Sequence, residues 1–137
     1  MGKTYGEWLL RWRYLVLVTT LTAVMWIPYI LNTIAVRGLT GAVGYPDNPK
    51  PLAPWAARMK AAHANAVENL VIFAALALAA HAVNVSNDAT VAACMVYFWA
   101  RFVHWLAYTL AVPWVRTLAF VVGFGCQMTL AWQIFVT

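Results

Sequence analysis

The chain has 137 residues, of which 64% are hydrophobic and 9% are charged, and its formal net charge is +5. Soluble domains carry about 25% charged residues, so this composition excludes an ordinary soluble globular protein and indicates an integral membrane protein. The same apolar content excludes a nucleic-acid-binding role, and the positive charge favours an anionic small molecule or an anionic lipid surface as partner. The length allows one domain, covering residues 1–137.

Four apolar segments are long enough to cross a bilayer, which takes about 20 mostly apolar residues. They cover about residues 14–36, 54–83, 89–112 and 114–135. Pro28 predicts a kink in the first span, and Ser86 or Asn87 is the candidate N-cap of the third. Only the first connection is a real loop, and the other two are short turns. Short connections favour an all-α, up-down-up-down antiparallel four-helix bundle.

The distribution of Lys and Arg near the span ends predicts the orientation. Three basic residues lie on the N-terminal side, namely Lys3, Arg11 and Arg13. Five lie on the opposite side, namely Arg37, Lys50, Arg58, Lys60 and Arg116. The excess predicts that the 37–54 loop is cytoplasmic, which in a bacterium makes this an inner-membrane protein. We find no cleavable signal, so the first span is expected to stay in the mature protein.

Polar side chains recur on one face of each later span. Helical residues advance by about 100° each, so residues on one face can be read from their spacing. The second span has Arg58, Asn65, Glu68 and Asn69 on one face, the third has Tyr97, Arg101, His104 and Tyr108, and the fourth has Arg116 and Gln127. A charged residue at mid-bilayer costs about 2.5 to 3.5 kcal/mol, so it usually faces a cavity or a partner. Arginines bind carboxylates, a glutamate accepts from an ammonium group, and asparagines bind peptide amides. The sequence therefore predicts a site for a zwitterionic, peptide-like ligand near one membrane surface.

Simpler interpretations exist for several of these residues. Arg58 and Lys60 are also typical of interfacial charges that extend toward the headgroups. Glu68 and Arg101 are candidates for a buried ion pair between helices. Cys94 and Cys126 lie in apolar segments without a Cys-x-x-Cys motif, so they are interpreted as buried thiols without a chemical role.

Two stretches resemble signatures of the MAPEG family, the membrane-associated proteins of eicosanoid and glutathione metabolism. The first is "RMKAAHANAVEN", which resembles the second-helix signature with Asn and Glu three residues apart. The second is "RFVHWLAYTLAVPWVRT", which resembles the third-helix Arg-x-x-His-x-x-x-Tyr pattern followed by Pro and Arg-Ser or Arg-Thr. The second stretch is especially similar to the prostaglandin E synthase branch.

The resemblance implies a homotrimer that binds glutathione between neighbouring subunits near the cytoplasmic face. It assigns the glutathione contacts to Arg37, Arg58, Asn65, Glu68, Arg101, His104 and Tyr108, with Arg37 coming from the adjoining subunit. It places Arg116 and Thr117 beside the sulfur as the catalytic pair, and no metal is expected. The second substrate would be a lipophilic electrophile or hydroperoxide arriving from the membrane lipids. Two departures are Ala64, where members often carry a base, and Phe120, where some carry Tyr.

Three other functions remain open from the sequence. The first is a non-catalytic MAPEG-like protein that binds a lipid and presents it to a partner. The second is a small multidrug transporter, although those proteins carry their membrane glutamate in the first helix rather than the second. The third is a haem protein that uses two of the histidines His63, His81 and His104.

Overall fold

The computed structural model describes the backbone of residues 2–137 and the side chains from residue 5 onward. In this part of the chain the elements are α1 (Gly2–Val24), α2 (Trp26–Val43), α3 (Pro54–Ala82), α4 (Asp88–Thr109) and α5 (Pro113–Phe135). Because α1 and α2 run on as one unit, four helical units are long and apolar enough to cross a membrane. This arrangement confirms the predicted all-α, four-span fold class.

The first helical unit is longer than the predicted span of 14–36, since α1 already begins at Gly2 and α2 ends at Val43. The break between them falls at Met25 because the ring of Pro28 clashes with the carbonyl four residues earlier and offers no N–H to it. A second irregularity is Gly38, whose φ of 71° is accessible to glycine at little cost. The connection to α3 therefore starts later than residue 37, at Gly44.

The α3–α4 turn closes with a Schellman motif followed at once by a capping box. Asn84 has a φ of 58°, and the amides of Val85 and Asn84 donate to the carbonyls of Ala80 and His81 at 2.8 Å and 3.0 Å. Asn87 then accepts from the Thr90 amide through its side chain at 3.0 Å, while its own amide donates to the Thr90 hydroxyl at 3.0 Å. Asn87 is thus confirmed as the N-cap.

The α4–α5 turn uses the same Schellman closure with an alanine in the left-handed position. Ala111 has a φ of 60°, and the amides of Val112 and Ala111 donate to the carbonyls of Ala107 and Tyr108 at 2.8 Å and 3.3 Å. Pro113 begins α5, where its missing N–H costs nothing. This tight reversal returns the chain directly beside the last turn of α4.

The core is built around α4, which packs against α1, α3 and α5. Small residues on α3 let the helices approach closely, as is usual in membrane bundles, and they are Ala56, Ala62, Ala66, Ala77 and Ala80. At the centre the rings of Phe73 and Tyr97 stack with centroids 3.8 Å apart and planes 5° apart. The packing leaves the N-terminal end of α3, the C-terminal end of α4 and the N-terminal end of α5 together at one end of the bundle.

Candidate functional site

Two adjoining clefts open at that end of the bundle. We call the first the Thr117 cleft, of about 210 Å³, lined by Asn65, His104, Tyr108, Arg116, Thr117 and Phe120. We call the second the Arg58 cleft, of about 170 Å³, lined by Arg58, Ala107, Tyr108, Ala111, Val112, Pro113 and Arg116. The two share Tyr108 and Arg116. Polar residues from three different helices therefore converge on one place.

Arg101 lies buried behind the Thr117 cleft and links two of its walls. Its side chain is only 4% exposed, and its Nη2 donates to Asn65 Oδ1 at 2.7 Å and lies 3.3 Å from His104 Nδ1. Its Nε is buried and has no hydrogen-bond partner among the described residues. Glu68 is exposed rather than buried against this guanidinium. The partner of Arg101 is thus Asn65, not the carboxylate considered from the sequence.

Arg116 lies over the aromatic wall of the clefts. Its guanidinium carbon lies 4.9 Å from the centroid of the Tyr108 ring, within the range of a cation–π contact. The Tyr108 ring meets the His104 ring edge to face at 5.7 Å, and the His104 ring lies 6.3 Å from that of Phe120. The chain contains four Asp and Glu residues, and none of them lines either described cleft. The positive charge of Arg116 and Arg58 is therefore left unneutralised there.

Two predicted site residues also bond the backbone. The Thr117 hydroxyl donates to the carbonyl of Pro113 at 2.9 Å, so its single hydrogen is already used. Arg58 Nε donates to the carbonyl of Thr109 at 2.9 Å, at the C-terminal end of α4, where a cation is favoured by the helix dipole. Arg58 thus joins α3 to the end of α4 and also lines its cleft.

The remaining predicted residues, Arg37 and Glu68, do not line either described cleft of this chain. Arg37 Nε donates to the carbonyl of Lys50 at 2.7 Å and so holds the first loop against α2. Glu68 is exposed near the middle of α3.

A relay of amides behind the site was not assigned from the sequence. Gln127, which is 2% exposed, donates from Nε2 to the carbonyl of Asn69 at 3.1 Å, and Asn69 donates from Nδ2 to the carbonyl of Asn65 at 2.9 Å. The only sign of these bonds in the sequence was that Asn69 and Gln127 lie on the polar faces of the second and fourth spans. The relay ties α5 to α3 directly behind the residue that binds Arg101.

The profile of the MAPEG family matches residues 15–136. This chain belongs to the MAPEG family. The match contains every residue that lines the two clefts. No curated protein and no solved structure shows significant similarity to this MAPEG chain.

The donors of this MAPEG chain fit glutathione, which members of the family commonly use. Arg58 and Arg116 can bind carboxylates or an anionic sulfur, and the unused Nε–H of buried Arg101 indicates a missing acceptor. Each cleft is smaller than the roughly 300 Å³ at the lower end of small-molecule sites. A tripeptide would therefore need both clefts, joined at Tyr108 and Arg116.

The three described histidines of this MAPEG protein lie in separate surroundings. His63 Nδ1 is 2.8 Å from the hydroxyl of Tyr29, and His81 contacts the rings of Trp8 and Trp12 at 4.7 Å and 5.0 Å. His104 lies beside Arg101 instead. This separation gives no support to a haem site that uses two of them.

An apolar groove of about 400 Å³ follows the outer side of α4 and α5, lined by Met95, Val96, Trp99, Ala100, Val103, Val115, Leu118, Ala119 and Val122. Because helical residues advance by about 100° each, Leu118 and Val122 lie on roughly the opposite side of α5 from Arg116. The groove is therefore separate from the two clefts.

Proposed function

We propose that this protein is a glutathione-dependent membrane enzyme of the prostaglandin E synthase-like branch. It would activate the glutathione thiol for attack on a lipophilic electrophile or hydroperoxide, in a transferase, peroxidase or isomerase reaction. The observation that carries the proposal is the convergence of unneutralised Arg116 and Arg58 on two clefts backed by buried Arg101, in a MAPEG chain. Anionic ligands are favoured by such a cluster.

Glutathione supplies the nucleophile, a thiol whose pKa of about 8.5 must fall for it to be largely anionic at neutral pH. Arg116 provides the positive charge that stabilises the anionic sulfur. Arg58 binds a carboxylate, and buried Arg101 adds positive charge behind the wall that Asn65 and His104 form in the Thr117 cleft. The Thr117 hydroxyl can donate to the sulfur only by giving up its bond to Pro113. Buried Cys94 and Cys126 have no role in this scheme.

The proposal includes a homotrimer in a cellular membrane, in a bacterium the inner membrane with the 37–54 loop cytoplasmic. The clefts of one chain offer no carboxylate for the ammonium group of glutathione among their described lining residues. Glu68 and Arg37, which lie outside the clefts, would complete the site across subunit boundaries. Lipophilic substrates would enter from the surrounding membrane lipids.

The test is the thermal stability of the detergent-purified protein with and without glutathione, for wild type, Arg116→Ala and the control Arg13→Ala. Arg13 is exposed near the other end of the bundle. A ligand at 100 times its Kd stabilises a fold by about 2.7 kcal/mol. We expect wild type and the control to be stabilised and to show thiolate absorbance of the bound ligand, and Arg116→Ala to lose that absorbance. An absence of stabilisation at any concentration would overturn the proposal.

The apolar groove favours one alternative, a non-catalytic lipid-binding member of the family. In that case a fatty acid or phospholipid would stabilise the protein, whereas glutathione would produce no thiolate absorbance. The same stability measurement with lipid in place of glutathione distinguishes the two functions.

A further inference from the structure

The contact between Arg116 and Tyr108 has a role beyond lining the clefts. The Arg116 guanidinium carbon lies 4.9 Å from the ring centroid of Tyr108, and both residues are half-buried. They are also the two residues that the Thr117 cleft and the Arg58 cleft share. The position of this stacked pair therefore sets where the positive charge lies relative to both clefts.

Backbone hydrogen bonds hold the main chain of both residues of this contact. Tyr108 lies in the last turn of α4, and its carbonyl accepts from the Ala111 amide at 3.3 Å in the Schellman motif. Arg116 lies in the first turn of α5, and its amide donates to the carbonyl of Val112 at 3.0 Å. The ring of Tyr108 also contacts the His104 ring edge to face, with centroids 5.7 Å apart. The part of the contact that rotamer changes can move is the long side chain of Arg116.

A guanidinium on a long, flexible stem loses much of its effect on a nearby anion when it samples many positions. No carboxylate of the chain lines the described clefts to fix Arg116 by an ion pair, and such a pair would also cancel its charge. An aromatic face fixes a cation without neutralising it. The Tyr108 ring thus suits a residue whose charge must remain available.

We propose that Tyr108 is the positioning residue of Arg116 and that it acts through the face of its ring rather than through its hydroxyl. In the proposed function this contact would lower the thiol pKa of bound glutathione through Arg116, so that part of the inference rests on the proposed function. The packing of Arg116 against the Tyr108 ring is independent of it. Tyr108→Phe retains the ring face, whereas Tyr108→Leu removes it and leaves a smaller apolar side chain.

The experiment compares wild type, Tyr108→Phe and Tyr108→Leu, with Tyr14→Leu as the control because the Tyr14 ring packs against Phe98 instead, with centroids 6.1 Å apart. Arginine side chains are labelled with ¹⁵N, and Arg116→Lys identifies the Arg116 signal. A ring above a guanidinium shifts its proton resonances. We expect the shift in wild type, Tyr108→Phe and Tyr14→Leu, and its loss in Tyr108→Leu. A retained shift in Tyr108→Leu, or its loss in Tyr108→Phe, would overturn the inference.

The thiolate absorbance of bound glutathione against pH supplies the second readout. We expect Tyr108→Leu to contain about tenfold less thiolate at a given pH below the thiol pKa, and Tyr108→Phe to titrate as wild type does. Equal titration of all three would overturn the chemical part of the inference. Should wild type bind no glutathione, the proposed function would fail, and the arginine resonances would still decide whether Tyr108 positions Arg116.

Discussion

At the scale of single residues, Arg116 and Thr117 are neighbours in sequence with different constraints. The Arg116 guanidinium lies on a ring and keeps its N–H groups available to a ligand. The Thr117 hydroxyl has one hydrogen, which the Pro113 carbonyl already accepts at 2.9 Å. The two members of the catalytic pair assigned by resemblance therefore differ in what they can offer to an anionic sulfur.

Thr117→Val tests this difference because valine keeps the shape and removes the hydroxyl. A hydrogen bond to a charged acceptor contributes about 1.5 to 3 kcal/mol, equivalent to tenfold or more in thiolate formation. We expect Thr117→Val to change the thiolate fraction of bound glutathione by less than about threefold, since that bond would require breaking another of similar strength. A loss as large as that of Arg116→Ala would show that the hydroxyl turns toward the sulfur.

At the scale of elements, the two turns that flank α4 differ in their left-handed residue. Asn is among the residues that adopt a positive φ most readily, whereas alanine at 60° carries a steric cost of about 1 kcal/mol. We expect Ala111→Gly to raise the free energy of unfolding by about 0.5 to 1 kcal/mol, measured in mixed micelles with a denaturing detergent. Asn84→Gly is the matched change, and we expect it to raise the free energy of unfolding by less. Equal gains would indicate that the Ala111 backbone is not strained.

Arg11 joins α1 to the far end of α3. This residue is 4% exposed, its Nη1 donates to the carbonyl of Val85, and its Nη2 donates to the carbonyl of Ala77 at 3.0 Å. Its guanidinium carbon also lies 5.0 Å from the Trp8 ring centroid. The arginine thus binds one carbonyl in the second-to-last turn of α3 and one in the α3–α4 turn, near a helix C-terminus where a cation is favoured.

Arg11→Leu should lower the free energy of unfolding by about 1 to 3 kcal/mol, because it leaves those carbonyls without their charged donor. The matched change is Arg13→Leu at an exposed position of the same helix, which we expect to have an effect within about 0.5 kcal/mol. A loss of stability for Arg13→Leu as large as that for Arg11→Leu would assign the effect to the charge of α1 rather than to the buried bonds.

At the scale of the whole molecule, Glu68 argues for assembly independently of the family. It lies at the midpoint of α3 (Pro54–Ala82), inside a helix long and apolar enough to cross a membrane, and it is exposed in the single chain. A carboxylate facing lipid costs up to about 2.5 to 3.5 kcal/mol, the value at mid-bilayer, so a polar partner is expected outside this chain. A neighbouring subunit in the proposed trimer would provide one.

The sign of the Glu68→Leu effect decides this point. If Glu68 faces another subunit, the variant should lose oligomeric mass in mild detergent, measured by light scattering, while Glu68→Gln retains more of it. If Glu68 faces lipid, leucine should instead stabilise the protein and leave its mass unchanged. A monomeric wild type would also contradict the proposed trimer.

Hydropathy and spacing predicted the four spans, an N-cap at Ser86 or Asn87, and the helix faces from which Asn65, His104 and Arg116 reach one cleft. These features follow from the periodicity of side chains, which a sequence displays directly. Bonds to backbone carbonyls do not appear in that pattern. Arg11 was therefore counted only among the basic residues that predict orientation, and the bonds of Arg58 to Thr109 and of Thr117 to Pro113 were not predicted. The early start of α1 was missed because its first turns are not uniformly apolar.

The bonds of Arg11 also bear on the order in which the chain assembles. Its two carbonyl partners are 66 and 74 residues away in sequence, whereas the turns around α4 join helices that follow one another directly. Closing a long loop costs more entropy than forming an adjacent hairpin. We therefore expect the hairpins of α3, α4 and α5 to form first as the chain emerges from the ribosome. The hydrogen bonds from Arg11 to Val85 and Ala77 would then form last, after the α3–α4 turn is complete.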